Sequence, residues 1–176
     1  MKTLKELLIQ FDACAPAIKW AGDKTIEEVV KECHRGDWLL WLAKKIELPE
    51  RKIISCAGDC ANTVRHLMKD ERSTKVVDLC MNFEDESISF EELEIARDDA
   101  RAAYAAAYDD ADEAYLTARA YAARAAARDA RALAAEAAAR AAAAAAYKDN
   151  QLQTANIVRE RLGNDIVNKV NQLLNN

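Results

Sequence analysis

The chain has 176 residues, 25 of them Lys or Arg and 30 Asp or Glu, for a net charge of −5. That length suits one domain with a sizeable core. The acidic balance argues against a general nucleic-acid binder, which needs excess cations to displace counterions from phosphate, and no apolar run is long enough to span a bilayer.

The first twelve residues read as an amphipathic helix, with Leu4, Leu7, Leu8 and Phe11 at helical spacing. Glu6, Asp12 and the lack of an Ala-x-Ala site set this segment apart from a signal peptide. Pro16 suits the first turn of a second helix through Trp20, which Ala21-Gly22-Asp23 ends. Thr25 and Glu28 have capping-box spacing and open a helix in which Ile26, Val29, Val30 and Cys33 share a face. Arg35-Gly36 is its expected stop, and Asp37 the expected N-cap of Trp38–Ile46, a helix apolar nearly all round and therefore buried. Pro49 starts a helix through about Met68, with Ile53, Ile54, Ala57, Ala61 and Val64 inward. Ser73 is the expected cap of Thr74–Phe83, and Ser89 with Glu92 forms a second capping box. The β-branched pairs Val29-Val30, Ile53-Ile54 and Val76-Val77 all lie inside helical patterns, so no strand is predicted.

From Glu91 to Tyr147 alanine dominates and neither Gly nor Pro occurs, which dictates helix. As one straight helix this block would extend about 85 Å, so a hairpin is expected near Tyr108-Asp109-Asp110-Ala111-Asp112-Glu113. One continuous helix is the alternative. Ala96, Ala100, Ala103, Ala107, Ala111, Ala114 and Ala118 form a seam that lets another helix approach closely. Beside it runs a row of Arg97, Arg101, Tyr104, Tyr108, Tyr115 and Arg119. Two readings of that row stand: bulk that packs an alanine helix, or a protein-binding surface of the residue types enriched in hot spots. Beyond it, Leu152–Leu162, a break at Gly163-Asn164-Asp165 and a short helix carrying Ile166, Val167, Val170, Leu173 and Leu174 complete the chain. The expected architecture is a single all-α domain over residues 1–176. It comprises a compact short-helix unit (1–85), an Ala-rich helical region (86–149) and C-terminal helices (150–176).

Several residues also carry a family resemblance. Cys14, Pro16, Ala17 and Trp20 are followed by Cys33, Gly36, Asp37, Trp38 and Trp41, then by Cys60-Ala61 and the alanine block from Ala96. This order resembles a family of immunity proteins associated with bacterial polymorphic toxins and found also in phages. The family pattern is Cys-x-Pro-Ala ending in Trp, then Cys-x-x-Gly-Asp-Trp-x-x-Trp, a Cys-Ala pair and an Ala-rich tail. The resemblance extends to about Tyr147, and the Gly-Asp-Trp-Leu-Leu-Trp-Leu segment is its most specific part. It implies a protein that binds and neutralises a cognate toxin.

Asp37, Trp38 and Trp41 also have two physical readings. They are either a core aromatic cluster behind a capped helix, with Trp20 able to pack beside the two indoles, or, with an indole edge exposed, a recognition patch. The five cysteines fit reduced thiols in a cytoplasm. There is no Cys-x-x-Cys or His-x-x-x-His pair, and neither a phosphate-binding glycine loop nor a nucleophile with a matched base stands out. The expectation is therefore a non-enzymatic, cytoplasmic binding protein with no catalytic residues, metal or cofactor, whose partner is a toxin protein rather than nucleic acid or membrane. The rival is a structural protein that forms a homodimer through the Ala seam.

Overall fold

The computed structural model describes residues 2–68, 70–108 and 149–175, and for 101–108 and 149 the backbone alone. Every regular element among them is helical. In chain order these are α1 (Leu4–Gln10), α2 (Ala15–Ala21), α3 (Ile26–Glu32), α4 (Gly36–Lys45), α5 (Glu50–Asn62), a single 3-10 turn (Arg65–Leu67), α6 (Glu71–Met81), α7 (Phe90–Tyr108) and α8 (Asp149–Asn175). The all-α class read from the sequence is what the chain adopts.

Local chemistry explains most of the boundaries. The Thr25 hydroxyl accepts from the Glu28 N–H at 3.3 Å while the Glu28 carboxylate accepts from the Thr25 N–H at 2.8 Å, a complete capping box. Thr3 and Glu6 repeat it at α1. Pro16 sits in the first turn of α2, where its missing N–H costs nothing. Ser89 accepts from the Glu92 N–H at 3.0 Å as α7 begins. One start and one end here differ from expectation. α6 is capped by Asp70, whose carboxylate accepts from the Arg72 N–H at 2.9 Å; Ser73 lies inside the helix and is buried. α5 ends at Asn62 and hands over to the 3-10 turn instead of running to Met68.

The larger correction concerns the C-terminus. Gly163-Asn164-Asp165 breaks nothing: α8 runs unbroken for 27 residues, about 40 Å at the usual helical rise. Its buried stripe, Thr154, Ala155, Val158, Leu162, Ile166 and Val170, lies against α3, α4 and α5. Gly163 is a packing glycine, since a Cβ there would come within 3.2 Å of a Val30 methyl. The C-terminal segment is thus a central helix of the core and not an appendage to residues 1–85. Its side chains also tie the bundle together. Arg159 donates to the carbonyls of Val30 and Cys33, both at 2.8 Å, satisfying the open C-terminus of α3. Lys52 pairs with Asp165 at 2.6 Å, and Asn171 donates to Glu27 at 2.7 Å.

A second layer is formed by α6 and α7. Ile54, Phe83 and Leu93 make one buried cluster, and Val76, Ala96 and Ala100 another. The first two positions of the Ala seam therefore pack on α6 within the chain. Arg51 closes this layer, donating to the carbonyls of Phe83 and Ile88 at 2.9 and 3.0 Å with its guanidinium 4.5 Å from the Phe83 ring. The expected hairpin turn after Tyr108 lies outside the described residues, as do Ala111, Ala114 and Ala118.

Two glycines set the closest approaches. A Cβ on Gly36 would lie 2.8 Å from the Thr154 backbone of α8, and one on Gly58 would lie 2.5 Å from the Met81 nitrogen of α6. Helix propensity alone favours Ala over Gly by about 1 kcal/mol. At Gly58 the clash with backbone wins, so Gly58→Ala is expected to destabilise the fold by about 1–3 kcal/mol, as overpacking does. Urea unfolding checks this; a stabilised variant would show that α5 and α6 are not packed this closely.

Candidate functional site

An open apolar groove of about 760 Å³ lies between α2 and α4, closed at one end by the last turn of α1. That volume falls within the usual span of ligand pockets, roughly 300–1,000 Å³. Leu8, Val29, Cys33, Leu39 and Leu42, all buried, form its floor. Trp20, Trp38 and Trp41, each half-buried, form its walls. The geometry follows from α4. Its buried face carries Leu39, Leu40, Leu42 and Ala43, so Trp38, Trp41 and Lys45, one turn apart in succession, are left on the groove side.

The indoles form a connected aromatic surface. Trp20 and Trp38 meet with ring centroids 6.0 Å apart, and His34 stands edge-on to Trp20 at 6.1 Å. His34 also approaches Trp38, at 6.5 Å. A cation lies over each indole: Lys24 on Trp20 and Arg35 on Trp38, both at 4.9 Å, and Lys45 on Trp41 at 5.7 Å. Such contacts contribute about 0.5–1 kcal/mol each at exposed positions.

Asp37 does not cap α4. The helix begins at Gly36 with Arg35 in the cap position, which makes no side-chain cap bond. The Asp37 carboxylate instead accepts from the Arg35 guanidinium through Nε at 2.7 Å and again through Nη2. This fork holds the guanidinium over Trp38, and the carboxylate still sits in the first turn, where the helix dipole favours it. Asp37, Trp38 and Trp41 are therefore together on one groove. Arg97 is elsewhere: it lies on α7, half-buried, and pairs with its neighbour Asp98 at 3.0 Å. Arg101, Tyr104 and Tyr108 are on α7 in backbone only, and Tyr115 and Arg119 lie outside the described residues. No described residue of α7 lines the groove.

Trp20, His34, Arg35 and Lys45 are the site residues that the sequence reading did not single out for binding. Helical phase would have found Lys45, one turn beyond Trp41. The sequence offers Trp20 only as a packing neighbour of Trp38 and Trp41, and nothing local signals His34, because the α3–α4 turn reaches Trp20 and Trp38 only through the fold.

The cysteines are all free thiols. Cys14 is exposed at the groove's edge, while Cys33 is buried on its floor and donates to the Arg35 carbonyl at 3.4 Å. Burial pushes the Cys33 thiol up to about 11 and the Cys80 thiol up to about 12. Cys60 is also raised, first by its hydrogen bond with Cys56 and then by burial. Neutral thiols are poor nucleophiles and poor metal ligands. Among the described residues no group of three or more His, Cys, Asp or Glu is placed to hold a metal ion, and no helix is long and apolar enough to cross a membrane.

No family model matches the chain, and neither a curated protein nor a solved structure matches it.

Two non-glycine residues at the groove's end hold left-handed backbone, Asp12 at φ 58° and Glu47 at φ 57°. Each follows a helix and completes a Schellman motif. The N–H groups of Asp12 and Ala13 bond to the Ile9 and Leu8 carbonyls, and those of Glu47 and Leu48 to the Lys44 and Ala43 carbonyls. An L-residue in this conformation costs roughly 1–2 kcal/mol that glycine avoids. Asp12→Gly and Glu47→Gly are therefore each expected to stabilise the protein, by up to about 1 kcal/mol once the flexibility of glycine in the unfolded chain is offset. Thermal melts check this; a lowered Tm would mean that the carboxylates hold the groove's end in place.

Proposed function

We propose that this is a non-enzymatic helical binding protein that acts by stoichiometric occlusion of a partner protein through the Trp-walled groove, in the manner of an immunity protein that neutralises a cognate toxin. The observation that carries the binding part is the placement of three half-buried indoles around one open apolar groove. Tryptophan and arginine dominate protein-binding hot spots, and a ring of less critical contacts that excludes water commonly surrounds them. Trp38 with Arg35 clamped by Asp37 is such a centre, and its lip carries charges of both signs in Asp12, Lys44, Lys45 and Glu47. The toxin as partner rests on the resemblance borne by Cys33, Gly36, Asp37, Trp38 and Trp41, and a cytoplasmic site of action on the five free cysteines. The groove gives that motif a physical role, since four of its five members line the cavity and Gly36 seats α4 against α8. A net charge of −5 would speed encounter with a basic partner.

The test is to read the genes that flank this chain's own and to co-express the chain with a toxin encoded there; flanking genes without a toxin would count against the immunity reading. Wild type is expected to restore growth and to form a one-to-one complex by size-exclusion chromatography with light scattering. Trp38→Ala is expected to weaken that complex by about 30-fold or more, the loss typical of a hot-spot truncation. Arg97→Ala on α7 is expected to leave it unchanged. Absence of protection by wild type would end the immunity reading. Loss of binding on Arg97→Ala but not on Trp38→Ala would move the interface to α7.

A further inference from the structure

The two walls of the groove are held in place very differently. α4 buries Gly36, Leu39, Leu40, Leu42 and Ala43 and packs along α8. α2 buries only Ala21; Ala17, Ile18 and Trp20 are half-buried and its other residues are exposed. Among the described residues, α1 is the helix against which α2 packs along its backbone. Cys14, in the cap position of α2, makes no side-chain cap bond. Left-handed residues bracket this helix, Asp12 before it and Gly22, at φ 53°, after it. Ala21 and Ile18 touch the main apolar core, and Trp20 reaches the opposite wall through its contacts with Trp38 and His34.

We propose that α2 is a hinged flap over the groove, latched by the Trp20 contacts with Trp38 and His34, and that it swings on the segments around Asp12 and Gly22 to uncover the apolar floor. Small elements with little buried area open at low free energy, well below global unfolding. Opening exposes Leu8, Val29, Cys33, Leu39 and Leu42 while the α3–α4–α5–α8 core stays shut. The flap stands independently of which partner, if any, the groove receives, and its test needs none.

The chain carries its own reporters. Cys33 lies on the floor beneath the flap, whereas Cys56 and Cys60 are buried on α5 and line no part of the groove. Cys33 labelling therefore reads flap opening, and Cys56 and Cys60 labelling reads opening of the core. The experiment is time-resolved alkylation of the full chain with iodoacetamide near pH 8 without denaturant, followed by peptide mass spectrometry. Cys14 is expected to react at once and Cys33 next, well ahead of Cys56 and Cys60. Trp20→Ala is expected to speed Cys33 labelling by about tenfold, the factor implied by losing one aromatic contact, and to leave the order of Cys56 and Cys60 unchanged. Trp20→Phe should fall between. If Cys33 reacts in step with Cys56 and Cys60 in the wild type, the flap is overturned. If Trp20→Ala accelerates all three equally, Trp20 is a general stabilising contact and the latch is overturned. The wild-type order alone decides the matter should Trp20→Ala fail to fold.

Discussion

The close approach of α4 to α8 at Gly36 is the contact on which the rest of the molecule depends. With no Cβ in the way, the backbone of Gly36 sits against Thr154, and this fixes both the depth and the rotation of α4. Leu39, Leu40 and Ala43 then face the core, each at most 1 % exposed. The residues left over on the other side are Trp38, Trp41 and Lys45. The groove is thus a consequence of core packing: bury one face of this short helix tightly and the indoles must face α2. A side chain at position 36 would push α4 outward and lose floor and wall together.

This contact also joins residues far apart in the chain. Gly36 meets Thr154, Val30 meets Gly163, and Arg159 satisfies the carbonyls that α3 leaves open at Val30 and Cys33. Residues 1–85 therefore leave an apolar trough in their core until α8 fills it, and loop closure across more than half of the chain must precede the rewarding contacts. The ionic links of α8 add register more than energy. Arg161 reaches Asp59 at 3.2 Å and also pairs with Glu84, but it is 39 % exposed, so solvent screens much of the attraction. Asp59 is held above the ordinary carboxylate range because burial outweighs the lowering effect of Arg161. Packing, not charge, places α8.

Elements whose signals are local were legible in the sequence. Thr25 with Glu28, Pro16 and Ser89 with Glu92 act on their own backbone within one turn, so spacing alone identified them. Two residues were misread, one because a neighbouring side chain competes for it and one because its partner is distant. Asp37 has the composition of a cap, but Arg35 captures both of its carboxylate oxygens. Gly163 has the composition of a stop, but the neighbouring α3 makes the missing side chain a packing feature, and the helix passes through it. The buried stripe of α8 is narrow, Thr154, Ala155, Val158, Leu162, Ile166 and Val170 among Asn, Gln and Arg. That stripe suffices because three helices converge on it. The packing of Trp20 beside Trp38 was legible as a core aromatic cluster, but that the cluster walls an open groove depends on the return of α2 across it, which no local pattern encodes.

An open groove walled by tryptophan would ordinarily be an aggregation liability, and the placement of the cations counters it. Lys24, Arg35 and Lys45 lie over the three indoles, so apolar stems cover ring surface while charged heads stay in water. Each contact is weak, and its release on binding costs correspondingly little. A wall of indoles covered in this way presents less bare ring to water and still keeps apolar area in the groove. The same economy applies to α2. Burying Ala21 and leaning Trp20 on Trp38 holds the wall in position, but a deeper anchor would lock the floor away from any partner. The groove therefore combines a rigid wall, set by Gly36 on Thr154, with a lightly held one, and the proposed binding role would draw on that asymmetry, one wall preformed and the other accessible.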